Sequence, residues 1–425
     1  MAQLYSAPKG TADLLGDSAR AWDFLQDSAR AVFTRYGYQS IYTPLFEHTE
    51  VFTRGIGEAT DVVGKEMYTF EDRGGRSLTL RPENTAGVVR AAIQAHLTDN
   101  NAAAKLFYTG PMFRYERPQK GRQRQFYQIG AEGLGLNTAA ADAEMIMMLW
   151  EYFTTLGLQR TSMRLLVNSM GDETCRPAYR EQLAQFIREN DAALCKDCKR
   201  RADTNPLRAF DCKNEACVAV MDSAPLLADV LCDDCREHND AVLQLLDAAG
   251  LKYQLDPRLV RGLDYYTRTV FEVQVDHGLG AQNALGGGGR YDGLFQDLGG
   301  KPTPCIGFAI GAERTVLALQ AQGATVAADT GLLVYVAAAT DLQRDAAFTL
   351  TMQLRSRGLT VLCDLQNRSL KSQFKQADRA QAHYVLIVGE EETTRGGVTL
   401  RNMETKEERF VTLGSVVKTL TSERQ

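Results

Sequence analysis

No apolar run in this chain approaches the roughly 20 residues that a membrane-spanning helix needs. The opening stretch, MAQLYSAPKGTADLLGD, lacks the basic-then-apolar pattern of a secretory leader. Both absences predict a cytoplasmic protein with no membrane partner. Positive charge is in short supply: 48 Lys and Arg stand against 53 Asp and Glu, a formal net charge of −5. A nucleic-acid partner must therefore be met by local basic patches, not by an overall positive field. There is no P-loop GKS or GKT, and the GxGxxG-like glycine run lacks a dinucleotide-fold context. Cysteine is sparse outside one region, where six of the nine lie between Cys195 and Cys235. In a reducing compartment such clustering indicates metal ligands or buried thiols more than disulfides.

What is present is enough for two or three domains: 425 residues, with ordinary apolar and charged fractions of 44% and 24%. The most informative stretch is RYERPQKGRQRQFYQIGAE, residues 114–132. Arg114, Arg117, Lys120, Arg122 and Arg124 crowd a segment broken by Pro118 and Gly121. Apolar-rich runs at 105–109 and 126–129 flank it, which predicts a hairpin with a long cationic tip. Guanidinium forks bind phosphate bidentately, so the tip suits an RNA end or a nucleoside triphosphate. A solvated basic turn is the plainer reading, but it leaves Gln128 and Glu132, set in a small and apolar stretch, unexplained.

Before this hairpin, Trp22, Leu25, Ala29 and Val32 recur at helical spacing and predict a helix over 18–35 that ends before Gly37. Residues 38–46 read as one apolar strand whose Pro44 confines it to an edge or an interface. Residues 55–64 read as a loop, and 67–70 and 77–80 as two strands around the turn 72–75. A helix then runs from about Thr85 to Ala95. Glu83 and Thr85 place a carboxylate and a hydroxyl together, although taken alone Thr85 reads better as a helix N-cap.

A strongly apolar helix over 140–156 and a strand over 163–168 follow. From about 170 to 252 the chain turns polar, helical and cysteine-rich, as an inserted domain would. Cys195 and Cys198, with Cys232 and Cys235, form two CxxC pairs able to present sulfurs to a structural zinc ion; Cys212 and Cys217 add candidates, and buried thiols are the alternative. Strand character returns at 267–275, preceded by Arg261, Asp264, Tyr265 and Tyr266 around Gly262. The glycines at 286–289 either form a flexible hairpin tip or let backbone approach something flat or charged. Arg290 and Tyr291 directly after them favour the second. A small-residue strand at 305–311 leads into a helix whose first turns carry Arg314. Residues 322–330 read as a linker. The alternation beyond it (strands 332–336, 359–362 and 384–388; helices 341–357, 369–380 and after Gly414) predicts a small α/β domain with a mixed sheet. On its second helix Lys371, Lys375 and Arg379 share a face, solvated or tracking an RNA backbone.

In these motifs the chain resembles the bacterial histidyl-tRNA synthetases, members of class II of the aminoacyl-tRNA synthetases, over nearly its whole length. Residues 114–132 match the second class motif, the helix and Pro44 strand match the first (the dimer interface), and 307–319 match the third. LVRGLDYY at 259–266 and GGGGRYDG at 286–293 are particular to the histidine enzyme. The resemblance implies an α+β catalytic domain with a central antiparallel sheet over 1–325, interrupted at about 170–252 by the helical insert, and an α/β anticodon-binding domain over 330–425. It implies a homodimer that activates histidine with ATP and Mg²⁺ and charges tRNA(His). Arg114 and Arg261 would meet the α-phosphate, with Arg122 and Arg314 also on ATP. Glu83, Thr85 and Gln128 would hold the α-amino group, and Glu132 and Tyr266 the two imidazole nitrogens. Tyr265, Gly287 and Gly288 would line the pocket. Arg117, Gln119 and Lys120 would meet the tRNA acceptor end. Asn84 stands where many relatives carry a smaller residue, and the resemblance does not establish the zinc.

The alternative is a catalytically inactive, synthetase-like regulatory subunit of histidine biosynthesis. Such relatives typically lack the last domain and lose catalytic residues; this chain keeps both that domain and Arg261. An RNA-binding or amino-acid-sensing relative without turnover is a third reading, against which Glu83, Arg114, Gln128, Arg261 and Arg314 all stand.

Overall fold

A computed structural model describes residues 5–57, 60, 62–276, 279, 283–324 and 331–422. The chain forms two compact units, Met1–Val326 and Ala327–Gln425. Most of the predicted linker, 325–330, lies outside the described residues.

In the first unit, helix α1 (Asp17–Arg35) buries Leu25, Ala29, Val32 and Phe33 completely. It stops where Gly37 turns left-handed (φ 83°) and the amides of Gly37 and Tyr38 take up the carbonyls of Thr34 and Phe33. The strand expected over 38–46 is broken. Strand β1 (Gln39–Ser40) joins the rim of the large sheet, and β2 (Phe46–His48) belongs to a separate three-stranded sheet. Pro44 sits in the crossing between them. There Arg81 fastens the chain through its backbone N–H to the Leu45 carbonyl (2.9 Å) and its guanidinium to Thr43 Oγ1 (3.0 Å) and the Pro111 carbonyl (2.9 Å). Helix α2 (Thr49–Ile56) occupies part of what reads as loop, and β3 (Tyr68–Glu71) and β4 (Ser77–Leu80) complete the small sheet. Helix α3 (Thr85–Gln94) follows.

The long hairpin is β5 (Ala104–Phe113) and β6 (Gln125–Leu134), after which come α4 (Ala139–Thr155) and β7 (Met163–Ser169). The stretch expected as an insert forms α5 (Arg176–Glu189), α6 (Lys196–Thr204), α7 (Glu215–Met221) and α8 (Asp233–Ala248) within the same compact unit. Strands β8 (Gln254–Leu255), β9 (Thr267–Val275) and β10 (Ala284–Arg290), helix α9 (Leu294–Asp297), strand β11 (Cys305–Gly311) and helix α10 (Ala312–Ala321) close the unit. The large sheet runs β1-β5-β6-β11-β10-β9-β7-β8. Its six central strands are antiparallel, as expected; the two-residue rim strands β1 and β8 pair in parallel, so the sheet as a whole is mixed.

One face of this sheet is covered by α1, α4, α8 and α10 in a continuous apolar core that includes Ile129, Ala131, Phe271, Val273 and Ile310. The period of two along β6 sends Tyr127, Ile129 and Ala131 to that core, and Phe126, Gln128 and Glu132 to the other face. The glycine run is no hairpin tip: it is the interior of β10. A Cβ at Gly288 would lie 1.8 Å from the Gly307 carbonyl oxygen, and one at Gly287 2.4 Å from that of Phe271. Close backbone approach on both flanks, not flexibility, explains the glycines. Arg290 is fully buried; its guanidinium donates to Asp142 Oδ1 (2.5 Å) and the Leu136 carbonyl (2.7 Å), while His238 meets Asp142 Oδ2 at 2.7 Å. This paired network ties β10, α4 and α8 together, and a lone Arg290 or Asp142 would be strongly unfavourable there.

The second unit is a mixed five-stranded sheet, in the order β13-β12-β14-β15-β16. Its elements are β12 (Leu333–Ala338), α11 (Arg344–Ser356), β13 (Thr360–Cys363), α12 (Leu370–Arg379), β14 (Tyr384–Val388), α13 (Glu390–Thr394), β15 (Gly397–Asn402), β16 (Glu408–Thr412) and α14 (Val416–Ser422). The first helix begins with a 3-10 turn at Asp341–Gln343, and the β15–β16 hairpin is an addition to the sequence reading. Lys371, Lys375 and Arg379 are exposed on α12, opposite buried Gln373 and Ala377. No described helix in either unit is long and apolar enough to cross a membrane.

Candidate active site

The uncovered face of the large sheet holds a cavity of about 440 Å³. Strand β6 contributes Phe126, Gln128 and Glu132, β9 contributes Glu272, and β10 contributes Gly286 and Gly287. Glu83 and Thr85 enter from the start of α3, Arg114 and Arg122 from the hairpin loop, and Arg314 from α10. Arg261, Tyr265 and Tyr266 come from the segment before β9. Residues that are far apart in sequence thus converge because four adjacent antiparallel strands present their outward phase to one space.

The buried end of the cavity is a hydrogen-bond network around Glu132. Thr85 Oγ1 donates to Glu132 Oε1 at 2.7 Å, and the Tyr291 hydroxyl donates to Oε2. Glu83 accepts from the backbone N–H of Thr85 (2.6 Å) and of Ala86 (3.0 Å). The helix N-terminus is therefore capped by Glu83, and Thr85 is its first residue rather than its cap. Burial raises the Glu132 carboxyl to about 8, although the bonds from Tyr291 and Thr85 pull it down. Burial also raises Glu83, against the opposing pull of the two backbone amides. The Gln128 Oε1 atom is buried with no hydrogen-bond partner among the described residues. A buried acceptor left open beside the bonded Glu83 and Glu132 carboxyls suits a donor from a ligand; the Tyr108 hydroxyl, Glu116 Oε2 and Arg261 Nε nearby are likewise buried without a hydrogen-bond partner. Asn84 is turned away, accepting from Thr43 Oγ1 at 2.6 Å.

The other end is cationic. Arg261 pairs with Glu272 (2.5 Å) and lies 6.0 Å from the ring centroid of Tyr266. Burial lowers its affinity for the proton, but Glu272 and Tyr266 more than compensate, so the guanidinium stays charged. Arg114 donates from Nε to the Pro82 carbonyl at 2.8 Å and stacks over Phe126 at 5.2 Å, with Nη1 3.9 Å from Glu116 Oε1. Arg122 pairs with Glu116 at 3.0 Å. Arg314 donates to the Ala284 carbonyl at 3.2 Å; burial and then the nearby Arg122 lower its pKa.

Not every expected residue lies here. Gly288 is in register with Phe271 and Phe308 and does not line the cavity. Arg117, Gln119 and Lys120 are exposed on the loop outside it. Several lining residues escaped the sequence reading. Glu272 occupies the phase of β9 opposite apolar Phe271 and Val273, a readable signal. Tyr291, read from sequence only as a bulky neighbour of the glycine run, lines the site and bonds Glu132. Arg208 reaches the site from the insert, donating to the Gly262 carbonyl at 2.6 Å, and nothing in its sequence neighbourhood marks it.

The cysteines do not form the set expected from the two CxxC pairs. Cys195 and Cys198 cluster with Cys212 and Cys217, whereas Cys232 and Cys235 cluster with Asp172 and Cys175. Each pair opens a different helix, α6 or α8, and the chain fold keeps these apart.

Comparison with known proteins gives a consistent family. The profile described as histidyl-tRNA synthetase matches residues 10–315, and that of the anticodon binding domain matches 333–423. The histidine--tRNA ligase of Halothermothrix orenii is 48% identical over 412 residues, 97% of this chain and 98% of the relative. That of Moorella thermoacetica is 48% identical over 414 residues, 97% of each chain. Among solved structures, apo S. aureus histidyl-tRNA synthetase superposes with a TM-score of 0.82 at 35% identity, covering 98% of this chain and 100% of the other.

Proposed function

The chain belongs to the histidyl-tRNA synthetase family of class II aminoacyl-tRNA synthetases, and from that premise we propose that the cavity on the open sheet face binds histidine at the Glu132 end and ATP at the arginine end. The activity is that of a histidine--tRNA ligase, with histidine, ATP and tRNA(His) as substrates. The regulatory-subunit alternative falls, because relatives covering nearly the whole chain are ligases and the anticodon-binding domain is present.

In the first step a carboxylate oxygen of histidine attacks the α-phosphorus of ATP and pyrophosphate leaves. Arg114 and Arg261 approach the phosphate from two sides and stabilise charge that spreads over its oxygens in the transition state. Arg122 and Arg314 hold the rest of the nucleotide. ATP would enter with Mg²⁺ as its counter-ion, and Glu66 and Glu116, both in the cavity lining, would offer oxygen donors of the kind that ion takes. Glu83, Thr85 and Gln128 hold the α-amino group. Glu132 and Tyr266 take one imidazole nitrogen each, while Tyr265 and Gly287 wall the ring. A ring with nitrogens on opposite edges requires a partner on each, and an analogue lacking one leaves a buried group unpaired. In the second step a hydroxyl of the terminal ribose of tRNA attacks the acyl carbon and AMP leaves. Arg117, Gln119 and Lys120 at the exposed loop meet the acceptor end.

The observation that carries this assignment is the unpartnered Gln128 Oε1 beside Glu83 and Glu132, a buried site short of donors that an ammonium and an imidazole supply. The same reading makes the protein a cytoplasmic homodimer. Tyr42, Leu45, Phe46 and Phe70 are exposed by 75, 44, 50 and 44%, a patch around the Pro44 crossing that a second copy would cover. Charging tests the function: purified protein with ATP and a tRNA(His) transcript should make radiolabelled histidine acid-precipitable, and an uncharged transcript would overturn the assignment.

A further inference from the structure

The insert contains eight potential metal ligands in two groups, and their geometry is more specific than their number. Within each group every ligand atom lies within 4.8 Å of every other. Cys195 Sγ is 3.9 Å from Cys212 Sγ, and Cys175 Sγ is 4.0 Å from Cys235 Sγ. Tetrahedral zinc with Zn–S bonds of about 2.3 Å sets its sulfurs about 3.8 Å apart. Asp172 Oδ1 is 3.7 Å from both Cys175 Sγ and Cys232 Sγ. Zn–O and Zn–S bonds of about 2.1 and 2.3 Å give an O–S edge of roughly 3.6 Å. In both groups a CxxC pair starts at a helix N-cap, Cys195 for α6 and Cys232 for α8, where the helix dipole favours the negative charge of a thiolate cluster. Backbone N–H groups also point at the sulfurs, from Cys195 to Cys217 Sγ (3.2 Å) and from Asp172 to Cys175 Sγ (3.4 Å).

We propose that the insert holds two structural zinc ions, one on Cys195, Cys198, Cys212 and Cys217 and one on Asp172, Cys175, Cys232 and Cys235, and that together they fasten the insert to the segment carrying Arg261 and Tyr266. The first group brackets the turn that presents Asn205 and Arg208. These donate to Asp264 Oδ1 (2.7 Å) and the Gly262 carbonyl (2.6 Å). The second group is continuous with the start of β9. Asp172 uses its other oxygen on Arg268 at 3.2 Å. The adjoining Gly171 carbonyl accepts from Thr267 Oγ1 (3.0 Å) and the Arg268 backbone N–H (2.7 Å), and Arg176 reaches the Tyr266 carbonyl at 2.7 Å. Contacts of this kind orient the ligands and, in return, are held by them. Four protein ligands complete a tetrahedron in each group and leave no exchangeable position, so both ions are structural.

Metal analysis of the full chain, purified without a histidine tag from zinc-supplemented cells, should give two zinc ions per chain and all nine thiols free after denaturation in chelator. One zinc or none, another metal in its place, or fewer than nine thiols overturns the proposal. Cys198→Ala and Cys235→Ala should each retain one zinc. A variant that keeps two refutes its ligand set, and one that loses both refutes the independence of the sites. The fastening rests on the histidine assignment above, whereas the metal count does not. Stripping zinc should raise KM for histidine in pyrophosphate exchange about tenfold, reversed on re-addition, since small displacements of positioned groups cost one to two orders of magnitude. An unchanged KM in stripped protein overturns the fastening.

Discussion

Arg261→Ala separates adenylate chemistry from amino-acid recognition. Arg261 is ion-paired to Glu272 at 2.5 Å and faces the cavity; of the groups proposed to hold histidine it adjoins Tyr266, 6.0 Å from the ring centroid, and has no hydrogen bond to Glu83, Gln128 or Glu132 among the described residues. A unit charge about 5 Å from the α-phosphorus, at an effective dielectric of about 20, contributes about 3 kcal/mol, or roughly 200-fold in rate. The substitution also leaves Glu272, with a side chain only 16% exposed, facing the phosphate without its counter-ion. That repulsion raises the loss to roughly 10³-fold or more. Adding Glu272→Gln should then recover roughly tenfold, because the neutral amide removes the repulsion but not the missing cation. ATP–pyrophosphate exchange measures the chemical step, and calorimetry measures histidine affinity, which should move less than about threefold because Arg261 stabilises mainly the transition state. Exchange within threefold of the parent would show that Arg261 does not act on the phosphate, and affinity lost in parallel with rate would show that it holds the pocket instead.

Other consequences follow from the same geometry. Since burial raises Glu132 to about 8, the free protein carries it as the neutral acid at pH 7. An imidazole N–H needs the carboxylate, so histidine binding at pH 7 should release about one proton, seen as a buffer-dependent heat. Affinity should rise roughly tenfold per unit from about pH 6.5 towards 8 and lose this dependence in Glu132→Gln; a buffer-independent heat contradicts it. Gly307→Ala would place its Cβ 1.8 Å from Glu132 Oε2. It should raise KM for histidine at least about tenfold and leave KM for ATP nearly unchanged, and equal effects on both would point to general misfolding. The double variant Arg117→Ala/Lys120→Ala should weaken tRNA binding and reduce the salt-dependence slope by roughly two, with tRNA-free exchange unaffected; a fall in that exchange would place the two residues in the ATP site.

Much of the site was legible in the sequence because it lies on strands, whose period of two separates core from cavity. Gln128 and Glu132 stood out as polar residues at the phase of β6 opposite Ile129 and Ala131. The glycine run was legible as a constraint, but its reason was not: the carbonyls of Phe271 and Gly307 crowd it from strands paired across the sheet. Long-range pairing hid the rest. Residues 38–46 have the composition of one strand, and only the competing demands of β5 and β4 divide it around Pro44. Thr85 looks like a helix cap locally, but its hydroxyl is drawn 47 residues along the chain to Glu132, leaving Glu83 to cap α3. The CxxC pairs suggested one shared ion because spacing shows which cysteines are neighbours and not which pairs meet. Asp172 and Cys175 complete the second group from before α5.

The central claim is that a cavity with arginines at one end and a Glu132 network at the other activates histidine and no other amino acid. Pyrophosphate exchange with each of the twenty amino acids in turn tests it most directly. Histidine alone should support ATP-dependent exchange. Exchange with none would contradict the enzyme assignment, and exchange with a different amino acid would contradict the roles given to Glu132 and Tyr266.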